Sequence, residues 1–183
     1  FNGKLTTEGL QKAADFIRFC DAFSIPVLSL VSATGFDTTV ANEKSVAREA
    51  ARLIHTFADA SAPKVTLLTG EAYGSAYLTM NSGHIGADLV YAWPTASVGM
   101  MPAENAVKII YNDEIDASDD AQGLIAEKAA AYAALQTSPE SAAGRGYVDA
   151  VIEPESTRQH LIAAFEMLYS KRAVRPSKKH STL

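Results

Sequence analysis

In the stretch "GEAYGSAYLTMNSG", residues 70–83, the small residues Gly74 and Ser75 are framed by Tyr73 and Tyr77 and follow directly on the apolar run "KVTLLT". A buried strand that breaks at small residues and passes straight into a helix leaves peptide N–H groups unpaired at the helix start, at the positive end of its dipole. Such a corner suits an anion or an oxygen on which negative charge develops. A plainer reading is a close-packed strand-to-helix corner whose small residues only let two backbones approach. A third makes Ser75 a nucleophile, with His84 as base and Asp88 as orienter. Three residues on one short helix and its exit loop are poorly placed to meet in that way.

Other residues with chemical potential point elsewhere. His55, His84, His160 and His180 show no HExxH or paired-ligand spacing, so no metal site is expected. Glu43 and Glu104 read as solvated or capping carboxylates, His55 as a helix-surface residue, and Trp93 with Pro94 as a core anchor. The single Cys20 excludes an intramolecular disulfide, and with no secretory signal at the start a reducing cytoplasm is the expected compartment. Phe1 is not an initiator Met, which suggests a fragment or a processed product.

The elements that would hold the corner are legible in the hydrophobic pattern. Leu10, Ala13, Ala14, Ile17 and Cys20 fall at helical spacing within residues 6–23. Pro26 closes that helix, and residues 27–31 form a short, nearly continuous apolar run, as expected of a strand covered on both faces. The same phrase then repeats. Val46, Ala47, Ala50, Leu53, Ile54 and Phe57 form a second helical stripe, Pro63 stops it, and residues 65–68 supply a strand, so that "DAFSIPVLSLV" is echoed by "DASAPKVTLLT". A third unit runs through a helix near residues 76–81 into a strand at 87–92, then a run at 97–101 and a helix at 103–110. Repeated strand, turn and helix units indicate an α/β fold with mainly parallel strands.

Beyond residue 111, "NDEIDASDD" reads as a solvated loop, residues 124–135 as an Ala-rich helix, "TSPESAAGRG" as a break and "YVDAVIEP" as a last strand. A final helix carries Leu161, Ile162, Phe165 and Leu168 on one face. These readings make residues 1–172 one domain and residues 173–183 a basic, Pro-interrupted tail. At 183 residues, 48% hydrophobic and 20% charged, the chain is long enough for one domain with a real core. A net charge of −5 argues against a nucleic-acid surface, and no apolar run is long enough to cross a bilayer.

In their order and spacing, "KAADFIRFCDAFSIPVLSLV", "REAARLIHTFADASAPKVTLLT", "AYGSAY", "GADLVYAWPTA" and "GYVDAVIEPESTR" resemble the carboxyltransferase subunits of biotin-dependent acyl-CoA carboxylases and decarboxylases, specifically their C-terminal crotonase-like domain. The resemblance covers almost the whole chain. It implies a spiral of strand-strand-helix units and an active site shared with the N-terminal carboxyltransferase domain of a neighbouring subunit, hence a homo-oligomer. It also implies backbone N–H groups of Ser75 and Ala76 as donors to the biotin ureido oxygen, with Gly35, Phe36, Gly74, Tyr77 and Leu78 lining the pocket.

The same resemblance names the partners: biotin on a carrier protein or domain, a small acyl-CoA as coenzyme A thioester substrate and, for the decarboxylases, membrane subunits. Differences from the family pattern are Ser32, Ala33 and Thr34 ahead of Gly35 and Phe36, Glu71 where Lys is common, Ser75 in place of Gly, and Pro102 and Asn105 in "MPAENA". Ser75 would cost about 1–2 kcal/mol if its backbone were left-handed and little in an ordinary helical start. A module that keeps the fold as a non-catalytic oligomerisation scaffold is the alternative from another class.

Overall fold

The structure, a computed structural model, describes residues 3–173. It confirms the α/β fold with parallel strands. The main sheet holds β2 (Val27–Ala33), β4 (Lys64–Tyr73), β5 (Leu89–Ala92) and β7 (Ala150–Val151) in that order, with β6 (Ser97–Gly99) also paired to β4, and every pairing is parallel. A small second sheet pairs β1 (Lys4–Leu5) with β3 (Gly35–Phe36).

The first repeat unit is α1 (Thr7–Ala22) leading into β2. Thr6 caps the helix, its hydroxyl accepting from Gly9 N–H at 3.2 Å, and Leu10, Ala14, Ile17 and Cys20 are buried along one face. The second unit, α3 (Val46–Asp59) into β4, buries Ala50, Leu53 and Phe57 in the same core. The two are tied by an Arg52–Asp15 ion pair at 2.6 Å and by Asp21, whose carboxylate accepts the N–H groups of Ser61 and Ala62 at 2.7 and 2.9 Å. The sequence echo has a structural counterpart, because Pro26 and Pro63 stand one residue ahead of the paired Val27 and Lys64.

β4 is the axis of the molecule. Its first half pairs with β5 (Val65↔Leu89 to Leu68↔Ala92) and its last residues with β6 (Glu71↔Ser97 to Tyr73↔Gly99). On the β2 side the register shifts between Val31↔Leu68 and Ala33↔Ala72, so β4 carries extra residues there. Gly70 lies in this bulge, where a Cβ would stand 2.7 Å from the Ser32 hydroxyl. Thr34 holds the first strand, accepting no role of its own in the core but donating N–H and Oγ1 to Gly3 O at 2.7 and 2.9 Å. One departure in this segment, Thr34, therefore has a structural task.

Several expectations are corrected. β2 is not covered on both faces: it alternates, and Leu28 and Leu30 are 39% and 59% exposed, because β2 is the sheet edge and the last helix, α9 (Thr157–Leu168), leaves its outer face open. Ile162 on α9 faces solvent for the same reason, and Ala47 on α3 is exposed. The acidic "NDEID" is helix α6 (Asn112–Asp116), following α5 (Ala103–Ile110) and held to α7 (Ala121–Tyr132) by a Glu114–Lys128 ion pair at 3.0 Å. The expected break is helix α8 (Pro139–Gly144), with Ser138 accepting from Ser141 N–H at 3.1 Å and Pro139 at the first helical position. Trp93 is half-buried, not a core anchor; its indole N–H donates to Thr157 at 2.8 Å and ties α9 to the sheet. The basic tail beyond Ala173 lies outside the described residues.

Candidate functional site

The corner at residues 73–76 is built by backbone conformation. β4 ends at Tyr73 in extended geometry, and Gly74 takes a left-handed φ of 56° that turns the chain into α4 (Gly74–Thr79). A Cβ at Gly74 would stand 3.0 Å from Met100 O, so glycine is needed both for the angle and for the approach of β6. Ser75 is not left-handed; its substitution for Gly therefore falls where an L-residue is at ease. Tyr73, the residue ahead of the helix, offers no side-chain cap, so the opening N–H groups of α4, including those of Ser75 and Ala76, have no side-chain acceptor.

The helix is pinned at both ends. Ala76 and Tyr77 are 1% and 4% exposed and anchor it inward, while Ser75 faces out. At the exit, Asn81 adopts a φ of 61° and donates from Nδ2 to Thr66 Oγ1 at 2.9 Å; Thr66 in turn donates to Asn81 O at 2.7 Å. Thr66 belongs to β4, so the strand that delivers the chain to the corner also fixes the far end of the helix. The exit of α4 is thereby tied to β4 at Thr66.

A cavity of about 300 Å³ lies beside α4. Gly74, Tyr77 and Leu78 form one wall, β6 and Met100 a second, and Tyr132, Gln136 and Thr137 a third. The third wall comes from a π-helical turn, Ala133–Thr137, that widens the end of α7. Arg145 and Tyr147 complete the rim. Burial, reinforced by the nearby Tyr147, pushes the Tyr77 phenol up to about 12, and its hydroxyl is buried without a hydrogen-bond partner.

Of the residues expected at the site, Gly74, Tyr77 and Leu78 come together here, while Ser75 and Ala76 do not line the cavity. Gly35 and Phe36 stand in β3, with Phe36 packed against the core that Ala76 and Tyr77 share; neither lines this cavity. Tyr132, Gln136, Thr137, Arg145 and Tyr147 escaped the sequence reading because they lie in and around the segment taken as a break. The clustering of Arg145 and Tyr147 in "GRGY" was the available signal.

The hydrolase reading does not survive the geometry. Asp88 accepts Lys64 N–H at 2.7 Å and the Lys171 ammonium at 2.8 Å, so it is committed to the β4 start and the chain end. The His84 ring packs edge-on against Tyr147 and Tyr77, with centroids 4.8 and 6.5 Å away. No hydrogen bond joins Ser75, His84 and Asp88 among the described residues. Glu43 and Glu104 are exposed, and no group of three His, Cys, Asp or Glu residues among the described ones is placed to hold a metal. A larger apolar groove of about 970 Å³, between the open face of β2 and α9, shares no residue with the cavity beside α4.

Comparison with known proteins agrees along the whole length. A family model described as carboxyl transferase domain matches residues 1–183. The propionyl-CoA carboxylase carboxyltransferase subunit of Haloferax mediterranei is 44% identical over 182 residues, covering 99% of this chain and 35% of that protein. The methylmalonyl-CoA carboxyltransferase 12S subunit of Propionibacterium freudenreichii subsp. shermanii is 42% identical over 180 residues, covering 98% and 34%. A crystal structure of transcarboxylase 12S, described as a hexamer with methylmalonyl-coenzyme A and methylmalonic acid bound, superposes with a TM-score of 0.92 at 41% identity over 98% of this chain and 35% of that one. The chain thus spans about a third of the length of these relatives.

Proposed function

Since the chain belongs to the carboxyl transferase domain family, with the crotonase-like fold, we propose that it is the biotin-facing part of an acyl-CoA carboxyltransferase, acting on a small acyl-CoA. The observation that carries this reading is the left-handed Gly74, which lines the cavity and opens an uncapped helix whose first turn carries Ser75 and Ala76, although neither of these two lines the cavity. The donor set fits a neutral ureido oxygen, since it consists of peptide N–H groups with no metal or charged base. Biotin, when bound on its carrier, supplies the ring nitrogen that exchanges the carboxyl group. Ser75 and Ala76 would then donate to the ureido oxygen as charge accumulates there. Losing one such donor typically costs about 2.7–4 kcal/mol of barrier. Gly74 brings the backbone close enough for this, and Tyr77 and Leu78 shape the adjoining space.

The acyl thioester itself would be held by a second crotonase-like domain, the N-terminal carboxyltransferase domain of a neighbouring subunit. The open β2 face, the exposed Phe16 and Phe19 on α1 and Phe23 just past its end offer apolar area for the corresponding homo-oligomer, in keeping with the hexamer of the transcarboxylase. Residues 1–172 would be the domain and the tail from 173 an appendage to it. No helix among the described residues is long and apolar enough to cross a membrane, and the buried lone Cys20 suits a reducing cytoplasm. Any membrane decarboxylase subunits would be separate chains.

The test is carboxyl transfer between methylmalonyl-CoA and biotin, with this chain combined with such a second domain. Because only the backbone is asked to work at position 75, Ser75→Ala and Ser75→Gly should both keep turnover within a few-fold of the wild type, the helix-propensity difference being about 1 kcal/mol. Abolished turnover in Ser75→Ala alone would show that the hydroxyl matters and would overturn the donor assignment.

A further inference from the structure

Thr79, the last residue of α4, is fully buried, and its hydroxyl donates to the carbonyl oxygen of Ser75 at 2.7 Å. A threonine inside a helix often returns its hydroxyl to the carbonyl four residues back, and on most helices that bond only satisfies the hydroxyl. Here the carbonyl belongs to the peptide unit that joins Ser75 to Ala76. That unit is planar and trans, so its C=O and the N–H of Ala76 point in opposite directions on one rigid plate. A hydrogen bond that holds the oxygen therefore also holds the direction of the Ala76 N–H. It polarises the amide as well: a peptide whose oxygen accepts becomes a stronger donor at nitrogen, by about 10–30% per bond in condensed-phase estimates. The Tyr77 hydroxyl, buried and without a hydrogen-bond partner, lines the cavity together with Gly74, and an unpaired polar group in that place is one that a ligand completes.

We propose that Thr79 is a positioning residue for carboxyl transfer, its hydroxyl aiming and strengthening the Ala76 N–H through the Ser75 carbonyl. In the function proposed above, on which this assignment rests, that N–H donates to an oxygen where negative charge develops. Thr79 does not line the cavity, so it acts only through this peptide. Because the charge on the oxygen grows as the C–N bond breaks, a stronger donor is felt in the transition state more than in the bound ground state. Ser82 supplies an internal comparison. It is as fully buried as Thr79, and its hydroxyl also donates four residues back, to Leu78 O at 3.3 Å. The peptide it takes, however, carries the N–H of Thr79 and not that of a proposed donor.

Thr79→Val, Thr79→Ser and Ser82→Ala, each in this chain combined with a second crotonase-like domain, test the assignment by carboxyl transfer from methylmalonyl-CoA to biotin. Thr79→Val keeps the shape and removes the donor; it should lower kcat about three- to tenfold and leave KM for biotin unchanged, as expected of one hydrogen bond used only in the transition state. Thr79→Ser, which keeps the hydroxyl, and Ser82→Ala should both stay within about twofold of wild type. In the isotope-labelled chain alone, the Ala76 amide nitrogen resonance should move upfield in Thr79→Val and return in Thr79→Ser, a signature that lost packing does not give. An unchanged kcat in Thr79→Val, an equal loss in Thr79→Ser or Ser82→Ala, or an unmoved Ala76 resonance overturns the assignment. Should Thr79→Val fail to fold, Thr79→Ala is read in its place against the same Thr79→Ser. If wild type and variants alike transfer no carboxyl group, the proposed function fails, and the Ala76 resonance still decides whether Thr79 holds this peptide.

Discussion

Assayed alone with methylmalonyl-CoA and biotin or a biotinylated carrier, the 183-residue chain is expected to show no carboxyl transfer, and to gain it on addition of the second crotonase-like domain. In the proposed reading, the N–H groups of Ser75 and Ala76 would serve one oxygen only. Carboxyl transfer would also generate an enolate at the thioester, which in this reading is held by the second domain and not by the corner at Gly74. Holding two reactants in a reactive geometry is worth about 7–11 kcal/mol, so an unpartnered site loses on the order of five to eight powers of ten in rate. Turnover by the single chain, at a rate comparable with the combined domains, would show that both half-sites lie within these residues and would sink the shared-site reading.

Gly74→Ala is expected to lower both stability and turnover. A left-handed alanine costs about 1–2 kcal/mol, and its Cβ would meet Met100 O at 3.0 Å, so β6 or α4 must move. Either movement re-aims the N–H groups of Ser75 and Ala76. The expected result is a loss of about 2 kcal/mol in urea unfolding, together with a drop of about 10²–10³ in kcat for the combined enzyme. Gly144→Ala is the control. Gly144 closes α8 with nothing within 4 Å of its Cβ position and no left-handed backbone, and alanine there should be neutral or slightly stabilising. A Gly74→Ala enzyme with reduced stability but full kcat would mean that the donors are not at this corner.

These two positions also show how differently sequence and structure speak. The helical stripes of α1 and α3, the two prolines ahead of β2 and β4, and the apolar run of β4 determined the repeated α/β units. Burial periodicity and chain stiffness are local properties that a sequence carries openly. The small residues at 74 and 75 likewise marked the corner. Which of the two needed to be glycine was not legible, because a left-handed φ is a property of how β6 approaches and not of the residues themselves.

The tertiary structure alone decided the rest. Alternation in β2 was hidden because Leu28 and Leu30 are apolar although they face outward, and only the edge position of the strand and the partial cover by α9 explain their exposure. Helices α6 and α8 were hidden because their stability comes from Lys128 on a neighbouring helix and from a serine cap, not from an apolar stripe of their own. The cavity wall formed by Gln136, Thr137, Arg145 and Tyr147 lies some sixty residues beyond Gly74 in the chain and reaches it only through β6 and the π-helical turn. Local pattern gives a residue its element; only the packing of distant elements says which residues share a site.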